Sequence, residues 1–192
     1  MKNKIGIFGG TFNPVHKAHV SVATEFINAL TLDLLYIIPN NVSPKKEEAE
    51  VSGQDRFNML KIAFDGIEKV IVSDIELKRS GKSYTRDTVA ELLNTHPNDE
   101  LYLLIGGDWV SGFTRWKDYE FILKNTNIVI AARGEVDFSA IETLKKTAGK
   151  PIFILNNENI EISSSEIRSN RAFNDLPKGV YEYIKAKGLY GI

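Results

Sequence analysis

The sequence predicts an α/β protein built on an open parallel sheet with helices on both faces. Short apolar runs of strand length recur at Ile5–Phe8, Leu34–Ile38, Val70–Val72, Leu101–Ile105, Ile128–Ala131 and Ile152–Leu155. The segments between them have helical spacing, and such alternation is the mark of parallel strands joined by helical crossovers. With 192 residues, 43% hydrophobic and 26% charged, the chain has the length and composition of a globular protein with a sizeable core, so residues 1–192 are expected to form a single domain.

Each element has a local reason. The first strand runs into Gly9-Gly10, and beyond His16 the residues Ala23, Phe26, Ile27 and Leu30 follow the i, i+3, i+4, i+7 rule, which predicts a helix with one apolar stripe against the sheet. After the second strand comes a loop from Pro39 to Val51, with Lys45-Lys46 followed by Glu47-Glu48. Ser52 with Asp55 marks the start of a helix bearing Phe57, Met59, Leu60 and Ala63. A loop over Lys78–Tyr84 leads to Thr85, the expected N-cap of a helix through Val89, Leu92 and Leu93. Ser163 or Ser164 is the expected start of a helix through Ile167, and a last helix is expected over Gly179–Lys187. No internal repeat, low-complexity tract or linker divides the chain.

Charge and composition exclude several classes. The 24 basic and 25 acidic residues leave a formal charge of -1, so no global field draws the protein to nucleic acid or to an anionic membrane. There are no cysteines, which removes disulfides, thiolate nucleophiles and Cys-ligated zinc. Met1–Lys4 pass directly into a short strand that Gly9 and Gly10 interrupt, too early for a signal-peptide core or a membrane span, and the expected location is cytoplasmic.

In open parallel sheets ligands sit at the carboxyl ends of strands, so the crossings are where chemistry is expected. The first reads Gly6-Ile7-Phe8-Gly9-Gly10-Thr11-Phe12-Asn13-Pro14-Val15-His16-Lys17-Ala18-His19, which is neither G-x-G-x-x-G nor a Walker A loop. Gly9 and Gly10 let backbone approach a ligand closely, and a helix beginning near His16 aims N–H groups at the same place, which suits an anion. His16 and His19 lie three apart on the first helical turn and can both donate to phosphate oxygens; a pair of solvated or core histidines fits the spacing equally well. Zinc would need a third ligand, and the one other histidine, His96, precedes Pro97 at a helix end, where capping is the simpler role. Ser163–Arg168 places hydroxyls and N–H groups at a helix start with a guanidinium one turn later, a pattern that fits a triphosphate and equally a serine-capped surface helix. Asp108 follows Gly106-Gly107 at a strand end, where it can accept from a nucleotide, help hold a metal or cap the next helix.

Gly9-Gly10-Thr11-Phe12-Asn13-Pro14-Val15-His16 with His19 resembles the amino-terminal signature of the H-x-G-H nucleotidyltransferases, specifically the nicotinate-nucleotide adenylyltransferases. The resemblance covers essentially the whole chain: Asp55-Arg56 with Met59-Leu60, Ser83-Tyr84-Thr85 with Asp87-Thr88, Gly106-Gly107-Asp108-Trp109 with Trp116, and Ile162–Arg168 follow in the family's order. It implies a Rossmann-like sheet of the nucleotidyltransferase type. It also implies transfer of the adenylyl group of ATP to nicotinate mononucleotide, giving nicotinate adenine dinucleotide and pyrophosphate in NAD synthesis. By the same resemblance His16, His19, Lys46 and Arg168 are the catalytic candidates. ATP would be held by Gly9, Gly10, Thr11, Phe12, His16, His19, Gly106, Asp108, Ile162, Ser163, Ser164 and Arg168. The acceptor would meet Asn13, Lys46, Tyr84, Thr85 and Trp116, with the Trp116 ring stacking on the pyridine. Backbone N–H groups at the helix start by Thr85 suit the nicotinate carboxylate, so the acid is expected over the neutral amide. Mg²⁺ is expected as cofactor, bound mainly through the ATP phosphates with Asp108 as a candidate protein ligand.

Two positions depart from the family pattern. The third H-x-G-H position is Ala18, and Ser43-Pro44-Lys45-Lys46 stands where the family often has Pro-Pro-His-Lys, so Lys46 matches and the histidine does not. Two rival readings stay open: an adenylyltransferase for another phosphorylated acceptor such as phosphopantetheine, and a non-catalytic nucleotide-binding module. The partners expected are ATP and nicotinate mononucleotide, with no nucleic acid and no membrane; a homo-oligomer stays open because such domains associate through many surfaces.

Overall fold

The computed structural model describes residues 2–44, 49–132, 137–155 and 162–192. Six strands, β1 (Lys4–Gly10), β2 (Leu34–Pro39), β3 (Val70–Val72), β4 (Glu100–Gly106), β5 (Asn127–Ala131) and β6 (Phe153–Leu155), form one sheet in the order β3-β2-β1-β4-β5-β6. Every pairing is parallel. The helices are α1 (Lys17–Leu30), α2 (Gly53–Ala63), α3 (Thr85–Thr95), α4 (Tyr119–Asn125), α5 (Phe138–Ala148), α6 (Ser164–Asn170) and α7 (Val180–Lys187).

The strands are apolar on both sides because both sides are covered. Leu35 and Ile37 of β2, Tyr102 and Leu104 of β4 and Val129 of β5 enter the core under α1, α2, α6 and α7. Their alternates Ile38, Leu101, Leu103, Ile105, Ile128 and Ile130 enter the core under α3, α4 and α5. Gly6 lies at the most crowded point of β1, where a Cβ would come within 2.6 Å of Leu32 and 2.8 Å of Leu35. Its lack of a side chain is what lets Phe26 and Leu32 pack onto the strand.

The expected elements are present with small shifts in their ends. Ser52 caps α2, its hydroxyl accepting from the Asp55 N–H at 3.0 Å, and Ser163 caps α6. Thr85 does not cap α3 as expected: the cap is Tyr84, with extended backbone, and Thr85 is the first helical residue. Gly179, expected inside the last helix, is instead its N-cap, at φ +86°. His96 ends α3, and its ring also bridges the Tyr36 hydroxyl (3.0 Å) and Asp99 (3.2 Å).

The topology places the site. β1 leads outward to β2 and β3, whereas β4 leads the other way to β5 and β6, so the loops after β1 and β4 diverge and leave a crevice at the sheet's carboxyl edge. The register pairs Gly10 with Pro39 and Phe8 with Leu104, which brings Gly9-Gly10 level with Gly106. No helix among the described residues is long and apolar enough to cross a membrane.

Candidate nucleotide site

The loop leaving β1 is fixed from three directions. The Asn40 N–H, at the end of β2, donates to the Gly10 carbonyl at 2.9 Å. From α2, Arg56 donates to the Thr11 carbonyl at 2.8 Å, and from α6 the Ser164 hydroxyl donates to the Pro14 carbonyl at 2.8 Å while Arg168 donates to the carbonyl of Asn13. Gly10 is tightly covered, since a Cβ there would lie 3.1 Å from the Phe12 ring. At Gly9 a Cβ would meet nothing nearer than the Ile38 carbonyl at 3.9 Å, so the space above it is open to a ligand. Phe12 adopts a left-handed backbone (φ +49°) and its ring is buried, so only its main chain can face that space.

His16 and His19 are brought together as their spacing predicts. His16 is the extended residue before α1, and its ring lies 3.7 Å from that of His19, centroid to centroid, with 31° between the planes. The His16 N–H donates to Nδ1 of His19 at 3.2 Å, which leaves the His19 proton on Nε2 and makes that atom a donor. His16 is buried and His19 half-buried, its ring edge-on to Phe12 at 4.9 Å. Ala18 is buried as well, so its methyl takes up little of the open surface.

Ser163 is committed within α6. Its hydroxyl accepts from the Glu166 N–H at 3.1 Å and donates to the Glu166 carboxylate at 2.6 Å, and its own N–H donates to that carboxylate at 2.8 Å. The capped-helix reading thus accounts for Ser163, while Ser164 and the half-buried Arg168 face the β1 loop. Ile162 precedes the cap, half-buried. Arg168 spends one further donor on Ser165 Oγ at 3.4 Å, a fraction of what a guanidinium offers.

Across the crevice, Asp108 is exposed in the turn Gly107–Trp109 after β4, folded back over Gly106 so that a Cβ there would make its carboxylate turn aside. Trp116 is half-buried, its ring 4.9 Å from Phe113 and 6.1 Å from Trp109. Lys117 joins this turn to α3, its ammonium 4.5 Å from the Tyr84 ring centroid and 3.2 Å from Asp87. The segment before α3 is anchored by Glu76, which is buried and accepts from the Thr88 hydroxyl at 2.6 Å and from Ser83. Burial pushes the Glu76 carboxyl above its ordinary range, and the bonds from Thr88 and Ser83 and the nearby Arg79 only partly offset it. Ser83 also accepts from the Asn41 N–H at 2.9 Å, tying the α3 start to the loop after β2. Lys46 lies outside the described residues.

Two contributors escape a reading by motif, Lys117 and Tyr190, while Arg56 stands in the Asp55-Arg56 block without a role assigned to it. Arg56, 1% exposed, donates to the carbonyls of Val51, Thr11, Asn40 and Asn41 and to Asn40 Oδ1. The signal was present, since Arg56, Met59, Leu60 and Ala63 follow the core spacing of α2, and an arginine on an apolar stripe needs a reason. Tyr190 donates to Asn13 Oδ1 at 2.6 Å and carries no sequence signal.

A glycine crossing at the switch point of a parallel sheet, lined by imidazoles and a guanidinium, defines a nucleotide-binding α/β protein. The model of the cytidylyltransferase-like family matches residues 7–170, and the chain belongs to that family of nucleotidyltransferases. It is 39% identical over 97% of its length, and 98% of the relative's, to a protein of Carboxydothermus hydrogenoformans named probable nicotinate-nucleotide adenylyltransferase. A Geobacillus kaustophilus protein of the same name is 36% identical over 98% of this chain and 86% of the relative. The fold is shared with the Plasmodium falciparum nicotinic acid mononucleotide adenylyltransferase complexed with NaAD, at a TM-score of 0.82 and 23% identity, covering 98% of this chain and 97% of that one.

Proposed function

We propose that this protein transfers the adenylyl group of ATP to the 5′-phosphate of nicotinate mononucleotide, releasing pyrophosphate. The observation that carries this reading is the close His16–His19 pair in the same strand-to-helix crossing as the open face of Gly9, with Arg168 reaching that loop from α6. An oxygen of the acceptor phosphate attacks the α-phosphorus of ATP, the bond from that phosphorus to the β-phosphate's bridging oxygen breaks, and pyrophosphate leaves with the electron pair. The attacking phosphate is already anionic, so the chain need supply no nucleophile, only alignment and charge stabilisation.

His19 donates from Nε2 to an oxygen of the reacting phosphate, and Arg168 directs its remaining donors to the same tail. Ser164 holds the loop while they do so. Lys46 keeps its sequence-based role as a cation on the phosphate side. Mg²⁺ bound through the ATP phosphates would neutralise part of their charge, with exposed Asp108 as the candidate protein ligand. On the acceptor side Trp116 offers a ring face, and the α3 start at Tyr84-Thr85 offers N–H groups to the nicotinate carboxylate. The chain acts as one unit in the cytoplasm.

The test is pyrophosphate release from ATP and Mg²⁺ with nicotinate mononucleotide, nicotinamide mononucleotide and phosphopantetheine in parallel, repeated with His19→Ala. Turnover is expected with the nicotinate substrate and a loss of roughly a hundredfold in the variant. Turnover with phosphopantetheine alone, or ATP binding without turnover of any acceptor, overturns the reading.

A further inference from the structure

We propose that Tyr190 is a positioning residue for the transfer, acting through the side-chain amide of Asn13; the inference rests on the reading of the site as one for adenylyl transfer. Asn13 sits in the β1 loop between Phe12 and Pro14 and is buried. Its amide has an accepting end and a donating end, and only the donating end suits a phosphate oxygen. The Tyr190 hydroxyl donates to Oδ1 at 2.6 Å, across 177 positions of sequence, and thereby claims the accepting end. With Oδ1 taken by Tyr190, the donating end of the amide, Nδ2, is the one left to a ligand phosphate. Turned over, the same side chain would aim a carbonyl oxygen at an anion.

Tyr190 is itself held in one place. α7 is bolted to α2 by Tyr183, whose hydroxyl donates to Asp55 at 2.8 Å and accepts from Asn58 at 2.9 Å. Gly188, at φ +60°, ends α7 and turns the chain into Leu189–Gly191, where Tyr190 adopts a left-handed backbone at φ +57°. A non-glycine residue stays in that region only when its surroundings hold it. Leu189 and Ile192, on either side, pack against the same core as α2. Burial pushes the phenol's pKa well above its ordinary value, despite Arg168 and Arg56 nearby, so Tyr190 is a neutral donor at any physiological pH.

The experiment is a double-mutant cycle on the intact chain with Tyr190→Phe, Asn13→Ala and the pair, reading kcat/KM for nicotinate mononucleotide alongside Tm. Tyr190→Phe keeps the ring and removes one bond, so Tm is expected to move by no more than a few degrees while kcat/KM falls about tenfold. Asn13→Ala should lose at least as much, and Tyr190→Phe should cost nothing further in that background. Unchanged kcat/KM in Tyr190→Phe, or losses that multiply in the pair, overturns the proposal and leaves Tyr190 a packing residue. Wild-type turnover in the same assay keeps the two readings separate: its presence upholds adenylyl transfer whatever the cycle gives, and its absence with every acceptor removes both.

Discussion

Replacing Arg56 by methionine tests whether a buried arginine with no acid partner among the described residues holds the two loops of the site. Methionine matches the stem and leaves the pocket apolar. What is lost is a fork of donors, at 2.8 Å to the carbonyls of Thr11 and Asn40 and at 3.3 Å to those of Val51 and Asn41 and to Asn40 Oδ1. Bonds from a charged donor contribute about 1.5–3 kcal/mol each, and the two short ones dominate. The opposing effect is relief of burying the charge, which depresses the guanidinium's pKa here. Because the groups left behind are neutral carbonyls, the net loss should fall near 2–4 kcal/mol, below or near the range for breaking a buried ion pair. For a chain of this length that is roughly 5–15 °C in Tm. Arg56→Lys keeps the charge but not the fork, and should lie between wild type and methionine. Thermal and urea unfolding, with kcat/KM for ATP measured well below Tm, provide the assay. Stability of Arg56→Met within about 0.5 kcal/mol of wild type would refute the reasoning, because such a change is what an ordinary surface site gives.

Two glycines of β1 should separate fold from function. Gly6→Ala forces a methyl against Leu32 and Leu35 and should destabilise by about 1–3 kcal/mol in urea unfolding, whereas Gly9→Ala meets only Ile38 O at 3.9 Å and should leave Tm unchanged while raising the KM for ATP. Trp116→Ala removes a half-exposed ring face and should raise the KM for nicotinate mononucleotide roughly tenfold with the KM for ATP little altered, as read by initial rates. Glu76→Gln should become more stable relative to wild type as pH rises. The folded carboxyl's pKa is raised, so its stabilising contribution is complete below the unfolded value and is lost as pH climbs through the folded one; Tm differences that stay flat from acid to neutral pH would contradict this.

What was legible in the sequence was periodic or local. The apolar runs gave the strands because residues buried on both faces leave an unbroken stretch, and Ser52 and Ser163 gave helix starts because their partners lie three residues on. The His16–His19 contact was legible from their spacing of three, although His16 is the extended N-cap of α1 and not, as expected, a residue of its first turn. Thr85 misled because its hydroxyl suits a cap, whereas at this start the extended residue is Tyr84, and no side chain caps the helix. The Asp55-Arg56 block was visible but what Arg56 holds was not, and Tyr190 was not visible at all, since each acts on a partner 45 or 177 positions away. Side-chain bonds to distant backbone have no period and no fixed spacing, so neither a helical wheel nor a motif detects them.

Those distant bonds share a direction, and the direction explains why so many cations near a phosphate site point at the protein's own backbone. In the β1 loop the carbonyls of Gly10, Thr11, Asn13 and Pro14 are drawn back by Asn40, Arg56, Arg168 and Ser164 respectively. In a planar trans peptide the carbonyl and the following N–H point opposite ways. Tying down the oxygens of Gly10, Thr11 and Pro14 therefore turns the N–H groups of Thr11, Phe12 and Val15 away from those anchors. Arg56 is buried and does not have to reach a phosphate in order to serve the site: by holding the Thr11 carbonyl it removes an acceptor that would repel an anion and orients the Phe12 N–H. Removal of the guanidinium would thus weaken phosphate binding through the backbone, which is why the Arg56 variants must be read by ATP kinetics as well as by unfolding.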